Sequence, residues 1–357
     1  MTDPQGTGKQ RVALIFGGRS GEHEVSIVSA RSVDRALDRE KYEVVPVAID
    51  RRGRWADSAT ARRVLEESSD RADDVVRFEG HYKLDPRLLE GTIDIAFPVL
   101  HGPYGEDGTI QGLFEMLDLP YVGCDAASSA LCMDKIFSKR MLDHAGLPTP
   151  AWVELDGRLW AEDRDGAVER SLALGLPLFV KPARLGSSVG ISKVSEEADL
   201  VAAIELALDH GERALVEKGL DAREIEVAML GNQHPRAAVP GEIVPGHDFY
   251  DYEDKYVDSA CELLAPAPLD ADTTAAAQNL GARVFRLFGC SGMARVDLFL
   301  DRDDNQLWVS EVNTIPGFTS ISMYPRLWGL SGLEYPALLD ELIRLALVRA
   351  SDRPIHP

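Results

Sequence analysis

Apolar residues in this chain occur in two patterns. Short continuous runs at Val12-Ala-Leu-Ile-Phe16, Tyr42 to Ile49 and Ile93 to Leu100 have the length and β-branched content of buried strands. Val25 to Leu37 and Ile110 to Leu117 instead repeat their apolar positions at helical spacing. This order predicts an open parallel α/β unit at the start of the chain. A single helix is expected through Ser128 to Ala145, stopped by Gly146 and by Leu147-Pro148-Thr149-Pro150. Beyond that stop, Leu178 to Lys181, Ala214 to Glu217 and Ile225 to Met229 read as strands around an acidic helix at 196–209, a mixed α+β pattern. The last third reads as a helix at Ala275 to Leu287, adjacent strands at Gly292 to Leu300 and Gln306 to Val312, and a closing helix at 334–350. Ala59 to Glu79, repetitive in Arg, Asp and Glu, reads as a solvated insertion without a role.

Composition narrows the class. At 357 residues and 45% apolar, the chain has room for two or three compact units. No apolar run reaches the length of a membrane span and the first residues are polar, so a cytoplasmic location is expected. Cys124, Cys132, Cys261 and Cys290 lack metal-ligand or C-x-x-C spacing, which predicts reduced, mostly buried thiols. A net charge of −21 argues against broad binding to nucleic acid or an anionic membrane and favours a small-molecule partner. A phosphate ligand stays compatible with that charge, because screening over about 8 Å lets local lysines dominate.

Four segments carry candidate chemistry. The strands ending in Leu300 and starting at Leu307 flank a polar turn, Asp301 to Gln306, and so predict a hairpin with Asp297 nearly opposite Glu311. Period-2 alternation puts Arg295 beside Asp297 and Asn313 beside Glu311 on the same face. Two carboxylates and an amide oxygen suit Mg²⁺, although taken alone these charges favour a cross-strand ion pair on an exposed face. Phe179-Val-Lys-Pro-Ala-Arg-Leu-Gly-Ser-Ser-Val-Gly190 is a strand entering a glycine- and serine-rich loop, which can cradle phosphate or be a plain turn with a surface lysine. His101-Gly-Pro-Tyr-Gly-Glu-Asp-Gly-Thr109 follows a buried strand at the edge where open α/β sheets bind ligands, though Glu106 and Asp107 also suit a helix start. Asp248-Phe-Tyr-Asp-Tyr-Glu-Asp-Lys-Tyr256 is too polar for a core and too aromatic for a linker, which fits a binding loop or a surface loop of packed tyrosines. Gly17-Gly-Arg-Ser-Gly-Glu22 invites a dinucleotide reading, but Arg19 stands where the second glycine of that fingerprint belongs.

In order along the chain, these segments closely resemble the D-alanine:D-alanine ligase family of the ATP-grasp superfamily. The resemblance rests on Phe16 to Ser26, His101 to Thr109, Met133-Asp-Lys135, Val180-Lys-Pro182 with Gly186 to Gly190, Tyr250 to Tyr256, Ala294 to Asp297 and Glu311 to Gly317. It implies an ATP-grasp fold, in α/β and α+β parts, preceded by an open parallel α/β N-terminal domain. The implied divisions are 1–126, a central subdomain at 127–222 and a C-terminal subdomain at 223–357 with a substrate-covering loop at 240–262. The implied reaction joins two D-alanines for peptidoglycan: ATP phosphorylates one carboxylate to an acyl phosphate, and the amine of the second displaces phosphate. By the same resemblance, Lys135 and Lys181 bind ATP phosphates, Glu217, Lys218 and Leu220 line the adenine pocket, and Glu224 holds the ribose. Asp297, Glu311 and Asn313 carry two Mg²⁺ ions, with Mn²⁺ as the alternative, and Arg295 stabilises the oxyanion. Glu22 pairs with the first D-alanine's ammonium, linked to Ser187 and Tyr256, while Lys255 reaches the transferring phosphate. His101 lies near the first substrate, and Ser322 with Met323 borders the second. A homodimer is implied.

Two positions depart from the family pattern: Met323 where leucine is usual, and Ile315 where smaller or polar residues are common. Tyr252, Lys255 and Tyr256 favour D-alanine over D-lactate as acceptor, because lactate-using siblings carry a different loop. The alternatives are a ligase with another acceptor and a catalytically silent nucleotide-binding regulator. The presence of Lys181, Arg295, Asp297, Glu311 and Asn313 counts against the regulator.

Overall fold

A computed structural model describes residues 8–67, 81–82, 84–89, 91–186, 189–244, 262–319 and 321–352. Strand β1 (Gln10–Gly17), helix α1 (His23–Ala36) and strand β2 (Tyr42–Ile49) begin the first sheet, in which β1 and β2 lie parallel with Val12 beside Val44. Strands β3 (Trp55–Ala56) and β4 (His81–Tyr82) extend one edge antiparallel. After helices α2 (Ser58–Glu67) and α3 (Pro86–Leu89), strand β5 (Ile95–Pro98) pairs parallel on the other side of β1, giving the order β4-β3-β2-β1-β5. The expected parallel centre is therefore present, with an antiparallel edge added. Helix α4 (Thr109–Met116) buries Ile110 and Phe114.

Two expectations are corrected here. The start of the supposed solvated insertion is helix α2, whose Ala61, Val64 and Leu65 are 0%, 0% and 2% exposed. Their i, i+3, i+4 spacing makes one apolar face, and burying the Val and Leu contributes roughly 1.5–3 kcal/mol each. The remainder of that segment, from 68 to 79, lies outside the described residues. The single helix expected at 128–145 is two helices, α5 (Ala126–Met133) and α6 (Lys135–His144). Asp134 separates them: its backbone is extended (φ −86°, ψ 101°), and its Oδ1 accepts from the N–H groups of Ile136 and Phe137, both at 3.1 Å. This side-chain cap satisfies donors at the start of α6 and leaves Lys135 as its first residue.

The second sheet is antiparallel, in the order β6-β9-β7-β8. It comprises β6 (Trp152–Asp156), β7 (Leu178–Pro182), β8 (Ser192–Val194) and β9 (Arg213–Lys218). Helices α7 (Gly157–Glu162), α8 (Arg164–Leu172) and α9 (Leu200–Asp209) accompany it, with Leu200, Ile204 and Ala207 of α9 packed in its core.

The third sheet has β10 (Ala222–Gly231) at its centre, with β11 (Arg236–Ala237), β12 (Gly241–Val244) and β13 (Glu262–Leu264) on one side. Helix α10 (Ala271–Leu287) leads into β14 (Gly292–Asp301) and β15 (Leu307–Asn313), which complete the other side. Val296, Leu298 and Leu300 of β14 join Val284 and Phe285 of α10 in one apolar cluster. The alternate residues Arg295, Asp297 and Phe299 are half-buried on the opposite face. Helices α11 (Met323–Leu330) and α12 (Tyr335–Ser351) close the chain. On α12, Arg349 donates to the Tyr121 carbonyl at 2.8 Å and to Ser291 Oγ at 2.6 Å, and its guanidinium lies 4.4 Å from the Tyr121 ring centre. These contacts fix the first sheet's edge against β14, so that loops from all three sheets meet.

Candidate active site

The hairpin of β14 and β15 has the expected register: Arg295 faces Asn313, and Asp297 faces Glu311. The register shifts just beyond Asp297, where Leu298 faces Val309, so Ser310 is an extra residue on β15. A bulge at this place redirects the side chains of the strand end, a common use of bulges beside functional sites. Arg295 grips Asp297 with both arms of its guanidinium, Nε to Oδ1 at 2.7 Å and a terminal nitrogen to Oδ2 at 2.6 Å. Its Nε also lies 3.1 Å from Glu226 on β10. Burial alone would lower the arginine's proton affinity, but Asp297 and Glu226 outweigh it and hold the group firmly charged. The sequence reading missed Glu226.

Beside this hairpin, Lys135, Lys139, Lys181, Glu217, Ser310 and Glu311 line one narrow cavity. Glu217 is 2% exposed and accepts from Lys181 Nζ at 2.6 Å and from Lys139 Nζ. Burial pushes the Glu217 carboxyl up, yet the two ammonium groups outweigh it and bring its pKa down to about 2. For Lys139 burial dominates and lowers its pKa, whereas for Lys181 the effect of burial is outweighed by Glu217 and Glu311, and its pKa rises. Lys139 also donates to Thr149 Oγ1 at 2.6 Å, tying this charge cluster to the segment between α6 and β6. Lys135 Nζ donates to the Leu185 carbonyl of the glycine-rich loop at 2.6 Å.

A third group comes from the first sheet. His101 is buried, with Nδ1 3.0 Å from the Ile315 carbonyl and Nε2 2.9 Å from Ser29 Oγ. A carbonyl only accepts, so Nδ1 carries the proton and Nε2 accepts from the serine. Burial lowers the histidine's pKa and keeps it neutral. Glu106 accepts from the N–H of Gly102 at 2.6 Å and from that of Ile315 at 3.0 Å, joining the His101 loop to the end of β15. Burial first, and the Glu22 charge second, push the Glu106 carboxyl up to about 8. Glu22 itself reaches between two glycines: a Cβ on Gly102 would lie 2.9 Å from its Oε2, and one on Gly186 3.7 Å. Gly102 has φ +75°, so a side chain there would be strained as well as crowded.

The remaining predicted residues fall into four groups. The Lys218 ammonium donates to the carbonyls of Gly175 and Leu176 at 2.9 and 2.8 Å, so it is engaged by protein, as is Glu217. Leu220 and Glu224 are half-buried where the chain passes from β9 into β10. Ser322 Oγ accepts from the Thr319 N–H at 3.0 Å, and Met323 is buried against Gly241. Ser187, Tyr252, Lys255 and Tyr256, with most of the expected covering loop, lie outside the described residues. Sequence reasoning also gave no role to Lys139 and left Glu106 as a helix-start residue. The buried lysine at the fourth place after Lys135, on the same helix face, was a readable signal.

The hairpin fits a divalent cation. Asn313 Oδ1 is buried and without a hydrogen-bond partner among the described residues, a costly state for an amide oxygen unless a ligand takes it. No group of three or more His, Cys, Asp or Glu residues among those described is placed to hold a metal. Two carboxylates and one amide oxygen therefore suit a cation that completes its shell with phosphate oxygens and water. Among the described residues no helix is long and apolar enough to cross a membrane, and Cys124, Cys132 and Cys290 are free and buried.

Two family models match, described as D-ala D-ala ligase N-terminus over residues 11–124 and D-ala D-ala ligase C-terminus over 141–344. The chain is 47% identical to the D-alanine–D-alanine ligase of Thermoanaerobacter sp. (strain X514), covering 95% of this chain and 97% of that one. It is 43% identical to the D-alanine–D-alanine ligase of Chloroherpeton thalassium, over 98% and 99%. Among solved structures, the D-alanine-D-alanine ligase of Coxiella burnetii superposes with a TM-score of 0.82 at 36% identity, covering 97% and 96%. The VanG D-Ala:D-Ser ligase of Enterococcus faecalis superposes equally, with a TM-score of 0.82 at 36% identity over 95% and 99%. The fold is accordingly that of the ATP-grasp ligases. With both family models matched in sequence order and near-complete coverage at these identities, the chain belongs to the D-alanine–D-alanine ligase family.

Proposed function

We propose that this protein condenses two D-alanines to D-alanyl-D-alanine, with ATP consumed through an acyl phosphate, as a cytoplasmic step of peptidoglycan precursor synthesis. The observation that supports it most is the facing of Asp297 and Glu311 beside Asn313, with Arg295 bound to Asp297 and with Lys181 of the second sheet lining the same cavity as Glu311. Family membership implies ATP and a divalent metal; we take the metal to be Mg²⁺, two ions, with Mn²⁺ able to substitute. Such ions neutralise phosphate charge and order the reacting oxygens. Asp297, Glu311 and Asn313 would hold them.

The chain's own groups supply the rest. Lys135 and Lys181 bind phosphates from the floor of the cavity, with Glu217 and Lys139 fixing the position of Lys181. Glu217, Lys218 and Leu220 line the pocket that receives the adenine, and Glu224 holds the ribose. Glu22, reaching between Gly102 and Gly186, pairs with the ammonium of the first D-alanine, and neutral His101 borders the same substrate. Arg295 donates to the oxyanion that forms when the second amine attacks, and the start of α11 at Ser322, bordered by Met323, receives the second carboxylate. Family resemblance assigns Ser187, Lys255 and Tyr256 to substrate linkage and phosphate contact. A homodimer, and no nucleic acid or membrane partner, complete the reading.

The test is phosphate release from ATP and Mg²⁺ with D-alanine, L-alanine, D-serine or D-lactate, the condensed product identified by mass. Release with D-alanine yielding the dipeptide is expected. Preference for D-serine, the acceptor in the name of the VanG relative, would move the acceptor assignment and keep the mechanism. Glu311→Gln should lower kcat about 100-fold or more, since even residues supporting a metal's ligands cost 10–100-fold when replaced. Its side chain is exposed, so the melting midpoint should stay within about 2 °C of wild type. A variant with full Mg²⁺-dependent turnover would refute the metal assignment.

A further inference from the structure

Three carboxylates stand in a row across three adjacent strands: Glu226 of β10 faces Asp297 of β14, which faces Glu311 of β15. Like charges directly opposite one another destabilise a sheet, so such a row needs cations along it. Arg295 supplies one at the inner end, where it contacts both Asp297 and Glu226. Asp297 is thereby committed twice. Both of its oxygens lie within 2.7 Å of the guanidinium, and the proposed function, on which this inference rests, also requires it as a metal ligand.

We propose that Glu226 is a positioning residue for ligation, retaining the Arg295 guanidinium in place when Asp297 turns from arginine to the divalent cation. Three observations carry this. The Glu226 side chain is 4% exposed and the Arg295 side chain 18%, so water competes poorly with a carboxylate as the arginine's partner. A largely buried cation stripped of its carboxylate is strongly disfavoured, and Asp297 could not leave without a replacement. Glu226 Oε1 already lies 3.1 Å from Nε, on the side opposite Glu311, and needs to close by only a few tenths of an ångström to reach the 2.7–2.9 Å of a full charge-assisted bond. Glu226 touches neither the reacting atoms nor the metal; it acts through Arg295.

The experiment compares wild type, Glu226→Gln and Glu226→Asp. Mn²⁺ affinity in the presence of ADP is read from the electron-spin resonance of free Mn²⁺, alongside kcat and KM for ATP. In Glu226→Gln, Asp297 remains the only carboxylate paired with Arg295 among the described residues, so the Mn²⁺ dissociation constant should rise about 10-fold and kcat fall about 30-fold, with KM for ATP within about 2-fold. Glu226→Asp should restore part of both. A purely structural glutamate would lower the folded fraction while leaving Mn²⁺ affinity of the folded enzyme unchanged. Wild-type Mn²⁺ affinity in Glu226→Gln therefore overturns the proposal, whatever happens to kcat. If Glu226→Gln fails to fold, Glu226→Asp is read the same way: weakened Mn²⁺ binding supports the hand-over and wild-type binding overturns it. The two readings fail separately. Wild-type enzyme making no dipeptide from D-alanine would defeat the proposed function, whereas the Mn²⁺ comparison involves no amino-acid acceptor.

Discussion

Arg295→Met is expected to lower kcat for dipeptide formation about 1,000-fold, the upper end of what loss of one oxyanion donor costs. The arginine acts where charge develops, in a half-buried site with few competing waters, so its contribution falls on the chemical step more than on ground-state binding. KM for ATP should change little. The methionine variant also leaves Glu226 and Asp297 facing each other without the cation between them. Part of that repulsion is relieved once a divalent ion binds Asp297, so the variant should gain more thermal stability from Mn²⁺ and ADP than wild type does. Arg295→Lys keeps the charge but not the two-armed grip on Asp297 seen here at 2.7 and 2.6 Å. It should fall between the two. Single-turnover dipeptide formation measures the effect directly, and a methionine variant with more than a tenth of wild-type kcat would remove Arg295 from the chemistry.

The second large effect concerns stability. Glu217→Ala should destabilise the protein by about 3–5 kcal/mol, because it leaves Lys139 buried with no paired carboxylate among the described residues and Lys181 with one fewer. That corresponds to a melting midpoint lower by roughly 4–7 °C for a chain of this size. The acid dependence gives an independent check. Glu217 has a folded pKa of about 2 against an ordinary 4.5. A depressed folded pKa contributes stability that is fully present above 4.5 and lost as pH falls from there towards 2. The isosteric Glu217→Gln lacks that titration. Its stability deficit relative to wild type should therefore shrink between pH 5 and pH 2 in denaturant titrations. A deficit independent of pH would show that the ion pairs are not what the glutamate contributes.

Much of the site could be read from the chain. The facing of Asp297 and Glu311 follows from period-2 alternation and a polar turn, which is local information, and the structure has that register. The strands at Val12, Tyr42 and Gly292 were legible for the same reason, since continuous or alternating apolar runs of that length have few other solutions. The errors were also local. In 59–67 the count of charges obscured Ala61, Val64 and Leu65, three residues that set a helix face. In 128–145 the apolar period runs on across Asp134, whose cap interrupts the helix.

What the sequence by itself determined is which residues could carry the chemistry and which short segments present them, because side-chain spacing along a strand or helix is fixed by backbone geometry. What only the tertiary structure decided is which of them share a charge. Glu226 meets Arg295 through the pairing of β10 with β14, Glu217 sits between lysines from α6 and β7, and Glu106 binds a backbone N–H at the end of β15. Those meetings join segments far apart in the chain. They are set by strand pairing and by how the apolar clusters around the sheets pack together, and the desolvation that makes each pairing strong exists only once the sheets have closed around it.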